Sequence, residues 1–340
     1  MKRPTTSRLA DIAAYAGVSE ATVSRVLNDR PGVAAATRQA VVTAVDVLGY
    51  ERPSKLRRSS AGLIGLVVPE LTNPIFPAFA QAVETQLAAA GYTPVLCTQT
   101  PGGVHEDEYV QMLLERGVAS ILFISGLHAD TSMGVERYCR LLDQGLPIAL
   151  VNGVRPEVPT TFVSTDEAAG VRLAVRHLRD LGHTRIGLAT GPARYVPVQR
   201  KREGYREAMA DLLGEGDPDE LVETTVFTVE GGSTAGAALV ERGATAIVCG
   251  SDLMALGVVR AARTRGLRVP EDLSVVGSDD SQLIAFTDPP LTTIRQDVTG
   301  ISSAAVAAVL QGIAGERGEH REYLYAPDLI LRGSTGAAPR

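Results

Sequence analysis

Apolar side chains in residues 1–50 recur at helical spacing three times in succession. The predicted stripes are Leu9, Ile12, Ala13 and Ala16 in the first helix, Val23, Val26 and Leu27 in the second, and Val41, Val42, Val45 and Leu48 in the third. Gly17 separates the first two helices and lets the backbone turn there. Three short helices with a tight turn are typical of a helix-turn-helix unit.

The second helix has a distinct beginning and a distinct outer face. Ser19 is expected to be its N-cap, with Val18 and Val23 at the spacing of a hydrophobic staple. The outer face is polar and mostly small, and is formed by Glu20, Ala21, Ser24, Arg25 and Asn28. Small side chains permit close approach to the major groove and long ones reach base edges. The alternative is a structural bundle whose outer face is only solvated.

From Leu63 onward the pattern changes to short apolar runs separated by amphipathic stretches. The runs occupy residues 63–69, 94–98, 120–125, 147–152, 185–190, 246–250 and 274–278. Continuous apolar strands that alternate with helices predict parallel sheets covered on both faces. The spacing breaks near "RPEVPTTFVSTD", which predicts two such sheets with a boundary close to residue 160.

Polar residues follow the predicted strands in both series. They are Glu70, Asn73, Ser125, Asn152, Ser251, Asp252, Asp279 and Asp280. Ligands of open parallel sheets bind beyond the carboxyl ends of the strands. The set therefore predicts a cleft between two lobes for a polyhydroxylated or otherwise polar ligand, although a turn or cap explains any one of these residues alone.

Charge separates the two parts of the chain. The 340 residues have a net charge of −6, yet residues 1–60 hold ten Lys and Arg against five Asp and Glu. A basic head on an acidic body indicates that only the head meets an anionic partner. Cys97, Cys139 and Cys249 show no metal-ligand spacing and are expected to be reduced, so we predict neither a metal site nor a cofactor.

The sequence predicts no membrane partner. Its start has a charged tip without the apolar stretch of a signal peptide. No run approaches the roughly 18 apolar residues of a membrane-spanning helix. We therefore expect a soluble, cytoplasmic protein.

"LADIAAYAGVSEATVSRVLN" resembles the headpiece of the lactose/galactose repressor family nearly residue for residue. By this resemblance Glu20 and Ala21 occupy the variable base-reading positions, and Arg25 reaches a base edge, typically guanine. The other headpiece residues expected at DNA, on phosphates or nearby bases, are Ser19, Thr22, Ser24 and Asn28. A carboxylate in the first turn of a helix also stabilises the helix dipole, which is an alternative role for Glu20.

The segment "RPSKLRRSSAG" at residues 52–62 corresponds to the family's hinge, which becomes helical on operator DNA and inserts a Leu into the minor groove. Lys55, Leu56 and Arg57 are the residues that the resemblance places there. The segment is shorter than is usual for the family and lacks its "ARxL" pattern. Both a hinge helix and a charged strap on phosphates therefore stay open.

Later blocks, among them "IGLVVPELTNPIF" and "SDLMALGVVRAARTRGLRVPEDLSVVGSDD", extend the resemblance over almost the whole chain. It implies an N-terminal all-α headpiece followed by a two-lobed, doubly wound α/β core like that of the type I periplasmic sugar-binding proteins. Lobe 1 would comprise residues 63–160 and 291–322, and lobe 2 residues 161–290 and 323–338. The effector contacts implied by position are Asn73, Phe76, Ser125, Asn152, Lys201, Ser251 and Asp279.

Two of these positions depart from the family. Lys201 stands where the family usually has Arg, so Arg200 or Arg202 is an alternative source of the guanidinium. Ser251 stands where the family commonly has Asn. Lys is a point charge, whereas Arg binds carboxylates or paired hydroxyls bidentately, and so the ligand class depends on this position.

We expect a sequence-specific, ligand-responsive transcription regulator, a repressor, with a headpiece at 1–51, a hinge at 52–62 and a core at 63–340. Its partners would be a pseudo-palindromic DNA operator, a sugar or sugar-like effector and a second copy of itself, because one headpiece reads too few bases. A transport-type binding protein fits the body but not the head. An enzyme is the other alternative, although the chain has no P-loop, His/Cys cluster or "GxSxG".

Overall fold

The computed structural model describes residues 8–27, 30, 32–48, 61–99, 104–213, 216–316 and 320–339. The chain forms two compact units, Met1–Ser60 and Ala61–Arg340.

The first unit is a bundle of three helices, α1 (Arg8–Ala16), α2 (Glu20–Leu27) and α3 (Ala35–Val47). Its buried apolar core is Ile12, Ala13, Val23, Val26, Leu27, Val41 and Ala44. Gly17 has a φ of +66°, the left-handed conformation that the turn between α1 and α2 requires. The stripes predicted for α1 and α2 are confirmed.

The stripe predicted for α3 is only half right. Ala44 is fully buried in place of Val42, which is 44% exposed, and Leu48 is also 44% exposed. Successive helical residues are rotated by about 100°, so Val41 and Ala44 share one face and Val42 lies outside it. The prediction chose only large apolar residues and passed over the small Ala44, which belongs to the buried core.

The second unit contains two six-stranded sheets and eight longer helices among its described residues. In chain order these elements are β1 (Leu63–Val68), α4 (Ile75–Ala89), β2 (Thr93–Thr98), α5 (Glu106–Glu115), β3 (Ser120–Ile124), α6 (Glu136–Asp143), β4 (Ile148–Val151), β5 (Thr161–Thr165), α7 (Glu167–Asp180), β6 (Ile186–Thr190), α8 (Val196–Leu213), β7 (Val222–Thr224), α9 (Val229–Glu241), β8 (Ala246–Cys249), α10 (Asp252–Thr264), β9 (Ser274–Asp279), β10 (Thr292–Arg295), α11 (Val298–Ile313), β11 (Glu322–Tyr325) and β12 (Asp328–Ile330).

The sheets are ordered β11-β5-β4-β3-β1-β2 and β12-β10-β9-β8-β6-β7. Every pairing is parallel except that of β12 with β10, which is antiparallel. In the first sheet α4 and α11 cover one face and α5 and α6 the other, since their apolar residues share core clusters with the strands. In the second sheet α9 and α10 cover one face and α7 and α8 the other. This is the predicted doubly wound arrangement, built twice.

The lobe boundaries differ from the prediction by a few residues. β5 pairs with β4 and β11, so residues 161–165 belong to lobe 1, and β10 pairs with β9, so residues 292–295 belong to lobe 2. β11 also extends lobe 1 to residue 325. We therefore define lobe 1 as residues 63–165 and 298–325, and lobe 2 as residues 167–295 and 328–338.

The physical reason lies in composition. β5 ("TFVST") and β10 ("TTIR") are short and rich in Thr and Ser, so they lack the apolar run that marked the seven predicted strands. The hydroxyls of Thr165, Thr292 and Thr293 are nevertheless buried, and each of them is hydrogen-bonded.

Candidate functional site

The predicted DNA-reading face of α2 is solvent-facing. Glu20, Ala21 and Arg25 are exposed, while Val23 and Val26 on the opposite side are buried. Thr22 and Ser24 are half-buried at the margin of the face. The helix therefore presents one small side chain and two long charged ones, which suits entry into a groove.

The start of α2 is held by a side-chain cap. The Thr22 amide donates to Ser19 Oγ at 3.2 Å, and the hydroxyls of Ser19 and Thr22 are 2.9 Å apart. Val18 and Val23 lie in the same apolar cluster, as a hydrophobic staple requires. The capping role predicted for Ser19 is confirmed, and it orients the first turn of α2. Asn28, Lys55, Leu56 and Arg57 lie outside the described residues.

In lobe 1, two predicted effector residues have strained backbones. Ser125 follows β3 with a φ of 47°, and Asn152 follows β4 with a φ of 65°. The Asn152 amide Nδ2 donates to Ser125 Oγ at 3.3 Å, and its Oδ1 is buried without a hydrogen-bond partner among the described residues. A non-glycine residue at positive φ and an unsatisfied buried acceptor are both costly, and such costs concentrate at functional sites.

The other two lobe 1 residues lie at the start of α4. Asn73 is 5% exposed, and its Oδ1 accepts from the Ile75 amide at 3.4 Å. Phe76 is half-buried and packs against the lobe 1 core. Glu70, after β1, is half-buried, and this burial raises the pKa of its carboxyl. These residues sit at the carboxyl end of β1, the same edge of the sheet as Ser125 and Asn152.

In lobe 2, Asp279 ends β9 with a φ of 115° and is 7% exposed. Its Oδ1 accepts from Gln296 Nε2 at 2.7 Å. Burial raises the pKa of Asp279 well above its usual value, and the carboxylate of Asp252 raises it further. The neighbouring Asp280, at φ 57°, instead bonds Arg332 Nη2 at 2.7 Å.

Ser251 and Asp252 have internal partners in this structure. Ser251 is the N-cap of α10, and its Oγ accepts from the Met254 amide at 3.2 Å. Asp252 accepts from the Ser281 amide at 2.7 Å and from Thr293 Oγ1 at 2.6 Å. Burial raises the pKa of Asp252 to about 6. Ser251 thus caps a helix and Asp252 holds a turn, the alternative roles that the sequence left open for them.

Lys201, on α8, is 4% exposed and forms an ion pair with Glu167 at the first turn of α7. The proposed substitutes for the family's Arg are engaged elsewhere. Arg200 donates to the Glu322 carboxylate of β11 from Nη1 and Nη2, each at 2.7 Å. Arg202 Nη2 lies 3.3 Å from Asp219 Oδ2. Arg200 and Arg202 are thus both paired with carboxylates, and a contact of either with the effector stays a prediction.

The carboxyl ends of the two sheets face each other. Thr165 Oγ1, at the end of β5, donates to Gln296 Oε1 at 2.9 Å just beyond β10, and the Gln296 amide then donates to Asp279. Polar residues at the carboxyl ends of strands from both lobes are thus in hydrogen-bond contact. The sequence prediction missed Gln296 and Glu167 because β5 and β10 were not recognised, although both residues closely follow strands.

Comparison with known proteins matches both units. The model of "Bacterial regulatory proteins, lacI family" matches residues 8–53, and that of a "Periplasmic binding protein-like domain" matches residues 175–335. The chain is 58% identical to the HTH-type transcriptional regulator MalR of Streptomyces coelicolor over 337 residues, 98% of each protein.

Solved structures of transcription regulators also match this chain over almost its whole length. The transcriptional regulator CelR in complex with cellobiose is 31% identical, with a TM-score of 0.70 over 98% of this chain and 100% of that one. The lac repressor dimer bound to operator and the anti-inducer ONPF is 29% identical, with a TM-score of 0.70 over 98% and 100% of the two chains.

A helix-turn-helix unit joined to a two-lobed core of this type defines a sequence-specific, DNA-binding transcription regulator. The chain belongs to the lacI family of bacterial regulatory proteins. Its relatives are transcription regulators rather than enzymes, and this protein is a transcription regulator too. None of its described helices is long and apolar enough to cross a membrane.

Proposed function

We propose that the protein is a dimeric repressor whose affinity for operator DNA is controlled by a neutral, hydroxyl-rich ligand, a sugar, bound between the two lobes. It acts in the cytoplasm, where its DNA partner lies. The observation that carries the ligand site is the set of three strained residues at strand ends, Ser125 and Asn152 in lobe 1 and Asp279 in lobe 2. Backbone strain of this kind is costly and is concentrated at functional sites, so three such positions together indicate a binding site.

The chemistry of the set favours a ligand that donates hydrogen bonds. Asn152 Oδ1 is an unused acceptor, and Asp279 adds a carboxylate with only one of its oxygens bonded to Gln296. The buried cation nearby, Lys201, is already neutralised by Glu167. A carboxylate or phosphate ligand would meet no unpaired cation among these described residues, whereas sugar hydroxyls supply donors.

DNA recognition is assigned to α2. Arg25 would read a base edge, Glu20 and Ala21 would line the same groove, and Ser19, Thr22 and Ser24 would contact phosphates. The exposure of Arg25 and the buried opposite face of α2 support this assignment. For the effector, the arrangement of the two lobes would differ between the ligand-free and ligand-bound states, and only one arrangement would favour operator binding.

Dimerisation is assigned to lobe 2. Leu283 is 77% exposed and Phe286 is 84% exposed in the loop after β9, and Val226 after β7 is 55% exposed. Large apolar side chains so far out of the core mark an interaction surface. The related lac repressor structure is a dimer, and a second copy of this chain is the partner we propose.

The ligand class is tested by a thermal-shift screen of the full chain against neutral monosaccharides and disaccharides, including cellobiose, and against sugar acids and sugar phosphates. We expect a neutral sugar to raise the unfolding temperature, because a ligand bound only by the folded state stabilises it. Asp279→Ala and Asn152→Ala should lose the shift, while Asp143→Ala, an exposed position on α6, should keep it. Stabilisation by the anionic sugars alone would contradict the proposal.

A further inference from the structure

The two lobes touch at a second place, between the loop after β3 and the loop after β6. The Thr131 amide and the Thr131 hydroxyl both donate to the Arg194 carbonyl at 2.8 Å. Arg194 Nε donates to Asp130 Oδ2 at 2.8 Å, and Asp130 and Tyr195 form an antiparallel bridge. These are hydrogen bonds between residues more than sixty positions apart that belong to different lobes.

The lobe 1 half of this contact is held in place from within its own lobe. The Asp130 carboxylate accepts from the Ser132 amide at 2.9 Å and from the Ser132 hydroxyl at 2.6 Å. Arg155 Nη1 donates to the carbonyls of Asp130 and Met133 at 3.3 and 3.1 Å. The Asp130 side chain is only 9% exposed, so it presents a fixed carboxylate to lobe 2.

The lobe 2 half is also oriented locally. The Arg194 guanidinium lies 4.8 Å from the centre of the Tyr195 ring and donates to the Tyr195 hydroxyl at 3.1 Å. Gln199, at the start of α8, donates to the Ala193 carbonyl at 2.9 Å and to Thr131 Oγ1 at 3.4 Å. Two preorganised surfaces lose little conformational entropy when they meet.

The position of the contact matters for the cleft. The crossovers between lobes leave from β5, β10 and β11, at or next to one edge of each sheet. The contact follows β3 and β6, toward the other edge, and the strands that carry Asn152 and Asp279 lie between. The cleft is therefore bounded by covalent crossovers on one side and by Asp130, Thr131 and Arg194 on the other.

We infer that Asp130 and Thr131 of lobe 1 and Arg194 and Gln199 of lobe 2 form a latch that holds the cleft closed and must open for a ligand to enter. The entry role rests on the proposed function, whereas closure by the latch does not. The Asp130–Arg194 ion pair is the part that a conservative substitution can weaken, since Asp130→Asn retains an oxygen that can accept from Ser132.

The test measures hydrogen exchange at the Thr131 amide in the full chain, without ligand or DNA, for Asp130→Asn, Arg194→Gln and the double variant. Each single variant should speed exchange about twofold to fivefold, since one partner of the pair, Arg194, is half exposed to solvent. The double variant should exchange no faster than either single one, because the pair is already broken. Arg268→Gln removes an exposed arginine–aspartate pair within lobe 2 and should leave Thr131 unchanged.

Amides of β3 report whether the variants keep the fold, and they should exchange at the wild-type rate. An unprotected Thr131 amide in the wild-type protein, or single-variant effects that multiply in the double variant, would overturn the latch. Because no ligand or DNA is used, the result is independent of whether the cleft binds a sugar.

Discussion

Asp279 shows how a single residue links the cleft to stability. It lies at positive φ, is buried, and is bonded through Gln296 to the crossover at Thr165. Burial and the nearby Asp252 make its ionised form unfavourable in the folded state. A sequence can show that an aspartate follows a strand, but the cost of its charge depends on what the fold packs around it.

The unfavourable ionisation of Asp279 in the folded state predicts that the stability of the protein depends on pH. When folding raises the pKa of a carboxyl, that carboxyl's contribution to the free energy of unfolding is complete below its unfolded pKa, near 4. The contribution is lost as the pH rises through the folded pKa. Asp279→Asn removes that loss. The free energy of unfolding of the variant minus that of the wild type should therefore increase steadily from pH 4 to pH 7, measured by urea unfolding.

The exposed Asp143→Asn is the matched control, and its difference from wild type should stay nearly flat over the same range. A flat difference for Asp279→Asn as well would show that the Asp279 carboxyl titrates alike in the folded and unfolded chains. Asp252, with a pKa of about 6, is a partner in this titration, so the curve belongs to the pair rather than to one residue.

At the scale of elements, α2 follows directly from local sequence. Gly17 permits the turn, Ser19 caps the helix, and the spacing of Val23, Val26 and Leu27 decides which face is buried. The opposite face is then left exposed to solvent. A sequence-based explanation of this kind succeeds because all five residues lie within one short helix and its turn.

Arg25→Ala is expected to weaken binding to the specific site while leaving the weak, salt-sensitive binding to other DNA unchanged. The loss of a bidentate base contact should lower affinity for the specific site roughly tenfold to a hundredfold. The measurement is fluorescence anisotropy on a site selected from random DNA with the wild-type protein, and on an unrelated duplex.

Arg25→Lys separates charge from geometry, since Lys keeps the cation but loses the planar fork. It should bind the unrelated duplex like wild type and the selected site more weakly. Equal loss on both duplexes for Arg25→Ala would assign Arg25 to phosphate contact instead.

At the scale of the whole molecule, the exposed loop after β9 is the feature that a single folded chain does not explain. Phe286→Asp should shift the protein from dimer to monomer in sedimentation velocity, because a charge in an apolar interface is desolvated without a partner. Affinity for a two-fold DNA site should fall in parallel, as each headpiece then binds alone.

Leu324→Asp is the control, since Leu324 is also exposed, at 54%, but lies on β11 in the lobe 1 sheet. It should remain dimeric. A Phe286→Asp protein that sediments like wild type would move the interface away from this loop.

The helix-turn-helix, the seven apolar strands and the two-sheet plan could all be predicted from the sequence, because short-range periodicity encodes each of them. The sequence also marked Ser125, Asn152 and Asp279 as strand-end polar residues. The folded chain shows what no local pattern revealed: β5, β7, β10, β11 and β12 complete the sheets, Lys201 is neutralised by Glu167, and Asp130 pairs with Arg194. Those outcomes depend on contacts between distant segments, where hydrogen bonds and buried charge, rather than local pattern, set the energy.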